Sequence, residues 1–209
     1  ARWNRRRAQS LRFVEVRGTL PKTVECPKTG AVFSPDEGTV PKKSTFTCKE
    51  ATCGRDQDVL DSIKATGKAG PVAAYAQQCY CPECDREGRP YGGRYFIEPD
   101  VDAIVKAHEE WDAAKDGDLD GWSPRSELPY GFMTHHLQGG VPNHGFTHWW
   151  KMFNPKQLLV LSKLLKTIST TQGFSDDAKD FVLGAFQQYI RNQCMLAFWH
   201  IKADKLASA

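Results

Sequence analysis

The sequence predicts an α+β protein, with a β-rich part over residues 1–98 and a helical part over residues 99–209 that closes on a long final helix. Three observations carry this reading. Residues 11–17, LRFVEVR, alternate apolar and charged side chains at the period of a half-buried strand, and the Pro-, Gly- and Thr-rich stretch after them suits short strands joined by turns. From residue 99 the apolar spacing becomes helical, with Val101, Ile104, Val105, His108 and Trp111 on one face. Two later helices announce their starts by capping chemistry, at Asn154-Pro155 and at Ser175-Asp176-Asp177.

Taken in order, residues 44–98 hold two cysteine groups separated by GKAGPVAAYAQQ and end on the strand-like GRYFIEP. The first helix of the helical part should stop near Gly117, and residues 117–153 form an irregular segment rich in Gly, Pro, His and aromatic residues. The Asn154-capped helix should bury Leu158, Leu159, Leu161, Leu164, Leu165 and Ile168. The last helix should run its apolar stripe from Phe181, Val182, Ala185, Phe186 and Tyr189 through Met195 and Leu196 to Trp199.

Composition is that of a folded protein: 209 residues, 40% hydrophobic and 25% charged, enough for one large or two small cores. No apolar run approaches the roughly 20 residues that a membrane helix needs, and no secretory leader is visible, so a cytoplasmic location is expected. The chain opens on ARWNRRRAQS without Met, as expected of a piece of something longer. Net charge is only +3 but uneven: residues 1–50 carry eleven Lys and Arg against five Asp and Glu. Arg5, Arg6 and Arg7 are therefore candidates to lie along phosphates, the alternative being a solvated arm.

The seven cysteines have three possible uses. A disulfide framework suits small secreted chains, and neither the odd count nor the size fits it. A redox pair at Cys81-Pro82-Glu83-Cys84 would need a helix start beside the first thiol, whereas the following DREGRPYGGRY reads as turns. Metal binding fits best: Cys48-x4-Cys53 and Cys81-x2-Cys84 are tight turns, each able to direct two thiolates at one point, the tetrahedral preference of zinc. The β-rich part is thus expected to be zinc-ribbon-like, with a closed and structural site. Cys79 could replace Cys81, and Cys26 could be a spare ligand. Cys194, beside Met195 and Leu196, suits a core thiol.

Residues 129–157 gather His135, His136, His144, His148, Trp149 and Trp150 among glycines. One reading is a hydrolytic metal site using His144-x3-His148, although no carboxylate lies in the segment and no H-E-x-x-H motif occurs. An HNH-type nuclease would place cysteine pairs around the catalytic element, whereas both lie upstream here. A nucleic-acid surface would use His135, His136, Asn143 and His144 as exposed polar contacts. The aromatic members Phe132, Trp149, Trp150 and Phe153 are expected to pack the loop onto the helices.

Taken together, SPDEGTV, a cysteine knuckle ending in Gly, KATGKAGPVAAYAQ and HWWKMFNPKQLLVLSKLLKTI resemble the central and C-terminal part of the zinc-ribbon-containing adenine-specific DNA methylases. The resemblance runs from about residue 34 to the end of the chain. It places Trp149 and Phe153 to Leu158 at a helix opening of the family, with Trp199-His200 near the end of the next helix; Lys156 stands where Arg is frequent. It implies transfer of a methyl group from S-adenosylmethionine to adenine N6, with duplex DNA as partner and Lys156 as a further DNA contact. That chemistry requires a glycine-rich cofactor loop and an Asp/Asn-Pro-Pro-Tyr motif, and neither occurs in this sequence. The implied role is a zinc-stabilised DNA-recognition region, with no catalytic residue of its own. The methylase's catalytic halves would bind the cofactor elsewhere. The alternatives are a metal-dependent nuclease or hydrolase using the His loop, and a zinc-stabilised protein-interaction module.

Overall fold

The computed structural model describes residues 21–25, 30–34, 45–48, 52–67, 72–89, 92–131, 141–191, 193–194, 198–200 and 205–207. The chain forms two compact units. One comprises Arg2–Pro99 with His135–Gly145, the other Asp100–Thr134 with Phe146–Ala209. The His- and aromatic-rich segment is thereby divided between them.

In the cysteine-bearing unit the described strands are short and pair only as antiparallel hairpins. They are β1 (Val24–Glu25) with β2 (Val32–Phe33), β3 (Thr45–Thr47) with β4 (Asp56–Asp58), and β5 (Gln77–Tyr80) with β6 (Arg94–Ile97). GRYFIEP is a strand as expected, while LRFVEVR lies outside the described residues. Two helices also occur among the described residues of this unit. The first, α1 (Val59–Thr66), starts where the Asp58 carboxylate accepts from the Leu60 amide at 2.7 Å and stops at Gly67, whose positive φ lets its N–H reach the Ile63 carbonyl at 2.8 Å. It packs against a 3-10 turn at Val141–His144. The second, α2 (Pro82–Arg86), sits in the β5–β6 connection. The described part of the unit is thus a set of hairpins with inserted helices, in which no sheet exceeds two strands.

The helical unit is built on α3 (Val101–Ala114), α4 (Pro155–Thr170) and α5 (Asp176–Arg191). Asp100 caps α3 through the Ala103 amide at 2.9 Å. Asn154 and Gln157 form a reciprocal capping box at the start of α4, with both bonds at 2.9 Å and Pro155 at the first position. Ser175 accepts from the Ala178 amide at the start of α5. After α3 the chain turns through Gly117, and Leu119 drops its side chain into the interior with 0% exposure.

One apolar cluster unites these helices: Ala107 and Trp111 of α3, Leu119, Phe153, the α4 residues Leu158, Leu159 and Leu161, and Phe186 of α5. Cys194 packs at its edge, as expected of a core thiol, but lies past the end of α5. Exposed ion pairs from Lys163 to Glu110 at 3.4 Å and from Lys166 to Asp118 join α4 to α3 and its following turn, and contribute little beside the apolar contacts.

Two helix expectations change. Leu164 is exposed on α4, because the buried arc is filled from Leu158, Leu159 and Leu161. The final helix ends at Arg191 instead of running through Trp199. Gln193 turns back on the Ile190 carbonyl, and the aromatic-rich Phe198–His200 becomes β7, paired with β8 (Lys205–Ala207). Along α5 only Phe186 is buried, and Phe181 is 81% exposed.

Leu158→Ala is expected to destabilise the helical unit by about 2–5 kcal/mol, since Leu158 is 3% exposed and its loss leaves a cavity between helices. Urea unfolding followed by far-UV dichroism reads this directly, and a change within a few tenths of a kcal/mol would contradict the assigned core.

Candidate cysteine knuckle and tryptophan turn

The local chemistry of β5 and β6 builds the first site. Their register pairs Cys79 with Tyr95 and Tyr80 with Arg94. The period of a strand puts Cys79 and Cys81 on the same side. The Cys81 amide donates to the Gly93 carbonyl at 2.8 Å, drawing the two backbones together. A Cβ on Gly93 would sit 2.3 Å from the Cys81 carbonyl oxygen, and φ is +71° there, so the crossing demands glycine.

Cys81 then occupies the N-cap of α2, and the Cys84 amide donates to its sulfur at 3.5 Å. That bond favours the thiolate and lowers the Cys81 pKa. The Cys84 pKa is raised, chiefly by the hydrogen bond it shares with Cys81 and then by loss of solvent. The expectation of no helix after this pair is therefore corrected: Pro82 opens a short one, because proline at the first helical position sacrifices no hydrogen bond. Tyr95 is held protonated to higher pH, first by charge on Cys79 and then by loss of solvent. Tyr80 is raised mainly through its 2.6 Å hydrogen bond to Asp85. Cys79 and Tyr95 are thus part of the knuckle's surroundings. The one sequence signal for this was the alternation C-Y-C just before the Cys-x-x-Cys pair.

Cys48 and Cys53 occupy the mouth of the β3–β4 hairpin, where the Cys48 amide donates to the Arg55 carbonyl at 3.0 Å and Gly54 takes a positive φ. A tetrahedral zinc site needs four ligands. The Cys81–Cys84 knuckle suits two of them. Among the described residues, however, no group of three or more His, Cys, Asp or Glu side chains is gathered closely enough to hold a metal ion. The four sulfurs expected to converge are accordingly not gathered at one point, and Cys26 lies outside the described residues.

The second site lies in the helical unit. Residues 124–128 run alongside 147–150: Leu128 N–H donates to the Thr147 carbonyl at 3.0 Å, Trp149 N–H to Ser126 at 3.2 Å and Trp150 N–H to Pro124 at 3.0 Å. These bonds pin the 3-10 turn Trp149–Met152. Phe153 is buried as expected. Trp149 and Trp150 are not, at 39% and 37% exposure, because Phe153 and the α4 leucines already fill the interior. Lys151 Nζ lies 5.8 Å from the Trp150 ring centroid and donates to Thr147 Oγ1 at 2.7 Å. His148 has Thr147 Oγ1 at 2.9 Å from Nδ1 and Glu127 Oε1 at 3.9 Å from Nε2.

The expected DNA contacts divide accordingly. Lys156 is exposed on the first turn of α4. Asn143 and His144 are half-buried in the turn beside α1, which corrects the expectation that both stand free in solvent. Arg5, Arg6, Arg7, His135 and His136 lie outside the described residues, as does Phe132. The exposed tryptophans were missed as surface groups, since aromatic residues near a helix start are ordinarily core.

In chelator-treated protein, iodoacetamide is expected to modify Cys81 at lower pH than Cys84, because the first pKa is lowered and the second raised. Peptide mapping across a pH series reads the order, and a reversed order would contradict the knuckle geometry. Comparison of the chain with protein-family models, with curated proteins and with solved structures finds no match.

Proposed function

We propose that this chain is a DNA-contacting region of an adenine-N6 methyltransferase, braced by zinc, with methyl transfer from S-adenosylmethionine performed by catalytic parts of the protein other than this chain. The observation that carries the proposal is the pinned turn that holds two adjacent tryptophans, Trp149 and Trp150, at the surface beside Lys151. Burying both would recover several kcal/mol of apolar transfer energy, so a surface that leaves them half-exposed suits stacking against a partner. Bases at an opened or kinked step offer flat faces for indole rings, and Lys151 and Lys156 offer charge for phosphates. The motif that carries the resemblance, HWWKMFNPKQL, coincides with this turn and the capping box after it.

In this reading zinc acts as a staple. Cys81 and Cys84 would supply one pair of thiolates, with Cys48 and Cys53 from the same unit the other. Thiolates repel one another, and the energy of binding the cation is what brings such a set together. Among the described residues of this unit no large hydrophobic side chain is buried, and a metal would compensate for that.

Two measurements test the proposal. Elemental analysis should find one zinc per chain in the wild type and a clear loss in Cys84→Ser; wild-type protein free of tightly held zinc removes the staple. Fluorescence anisotropy with duplex DNA should show affinity falling steeply with salt, and Lys151→Ala should flatten the log–log slope by about one. Trp149→Ala should weaken binding on the order of tenfold, since an indole wedged at an opened base step loses its contact. Affinity insensitive to both salt and Trp149→Ala would instead favour a protein-interaction module.

A further inference from the structure

Beneath Trp150 the helical unit leaves a cleft of about 360 Å³. Its walls are aromatic and aliphatic: Trp111, Trp150, Phe153 and Leu158. The two ends of this set are fixed differently. Trp111, Phe153 and Leu158 belong to the buried core, while the Trp150 backbone is tied to the Pro124 carbonyl and keeps its indole at the edge. The walls are therefore formed before any ligand arrives.

The rim is polar and already balanced. Lys115 pairs with Asp112 at 2.5 Å. Arg125 pairs with Asp116 at 3.0 Å, reaches Asp120 beyond the cleft lining at 3.5 Å, and also donates to the Lys115 carbonyl. A cationic ligand would meet Lys115 and Arg125, and an anionic one would meet the carboxylates. An uncharged ligand avoids both costs, provided it has polar edges to match the rim groups and Ser123. Flat faces suit the two indoles, and the volume is at the lower end of the range for small-molecule sites.

We propose that this cleft binds one nucleobase, an uncharged planar heteroaromatic ring with hydrogen-bonding edges, stacked against Trp150 and met at its edge by the Ser123–Arg125 rim. The base could belong to a free nucleoside or be an unpaired base within a DNA strand. The choice of a nucleobase among flat rings rests on the DNA-contact reading; the fit to a neutral planar ligand does not.

The test uses the full chain with three probes: adenosine, a matched duplex and the same duplex carrying one unpaired adenine. Adenosine should quench tryptophan emission saturably, and the duplex with the unpaired base should bind at least about tenfold more tightly than the matched one. Ser123→Phe, which places a bulky ring at the mouth of the cleft, should remove both effects. Quenching without preference for the unpaired base assigns the cleft to a free nucleoside. Quenching with no DNA bound in any form upholds the cleft and overturns the DNA-contact reading. Matched-duplex binding with neither quenching nor preference overturns the cleft and leaves that reading standing. Because the adenosine titration is made on the wild type, a misfolded Ser123→Phe protein would not shield the proposal.

Discussion

The packing of Trp111 with Phe153 and the leucines of α4 is the constraint on which the helical unit depends. It joins residues more than forty positions apart, and it consumes the interior volume that neighbouring aromatics would otherwise use. Trp149 and Trp150 follow Phe146 and precede Phe153 in a run of large apolar side chains. Only the two phenylalanines reach the interior; the tryptophans remain at the edge. Their exposure is thus a consequence of who occupies the core first, and the backbone bonds to Pro124 and Ser126 keep the turn in that position. The same arrangement produces a cleft with rigid apolar walls and a rim of internally paired charges.

The cysteine-bearing unit solves a different problem. Its described strands are too short to bury much, and backbone crossings and caps organise them locally. At the Cys81 crossing, a glycine, an amide-to-sulfur bond and a proline-opened helical turn determine one another. The Cys84 amide both stabilises negative charge on Cys81 and begins the turn that carries Cys84. Such a knuckle is complete from local sequence. A four-ligand site is not, because it needs a second hairpin to approach from a distant part of the chain.

Much of the architecture could be read from the sequence, and the successes share a physical basis. The starts of α4 and α5 follow from side chains that satisfy backbone amides within three residues, as Asn154 and Ser175 do. The β6 strand and the helical face through Trp111 follow from periodicity, again a short-range property. The errors fall where two local preferences compete. The apolar stripe of α5 continues in sequence to Trp199, but beyond Arg191 the chain turns, and Phe198–His200 pairs with Lys205–Ala207. Leu164 belongs by pattern to the buried arc of α4, yet it is exposed.

What the sequence by itself determined is therefore the set of local devices: caps, strand alternation, the Cys-x-x-Cys turn and the uneven charge. Each depends on bonds or periodicities spanning a few residues. Only the tertiary structure decided which of several similar aromatics enter the core, that Asn143 and His144 pack beside α1, and that the sulfurs of Cys48 and Cys53 are not gathered with those of Cys81 and Cys84. Those outcomes turn on competition for a limited interior and on the approach of distant segments, and neither quantity is written at any one position of the chain.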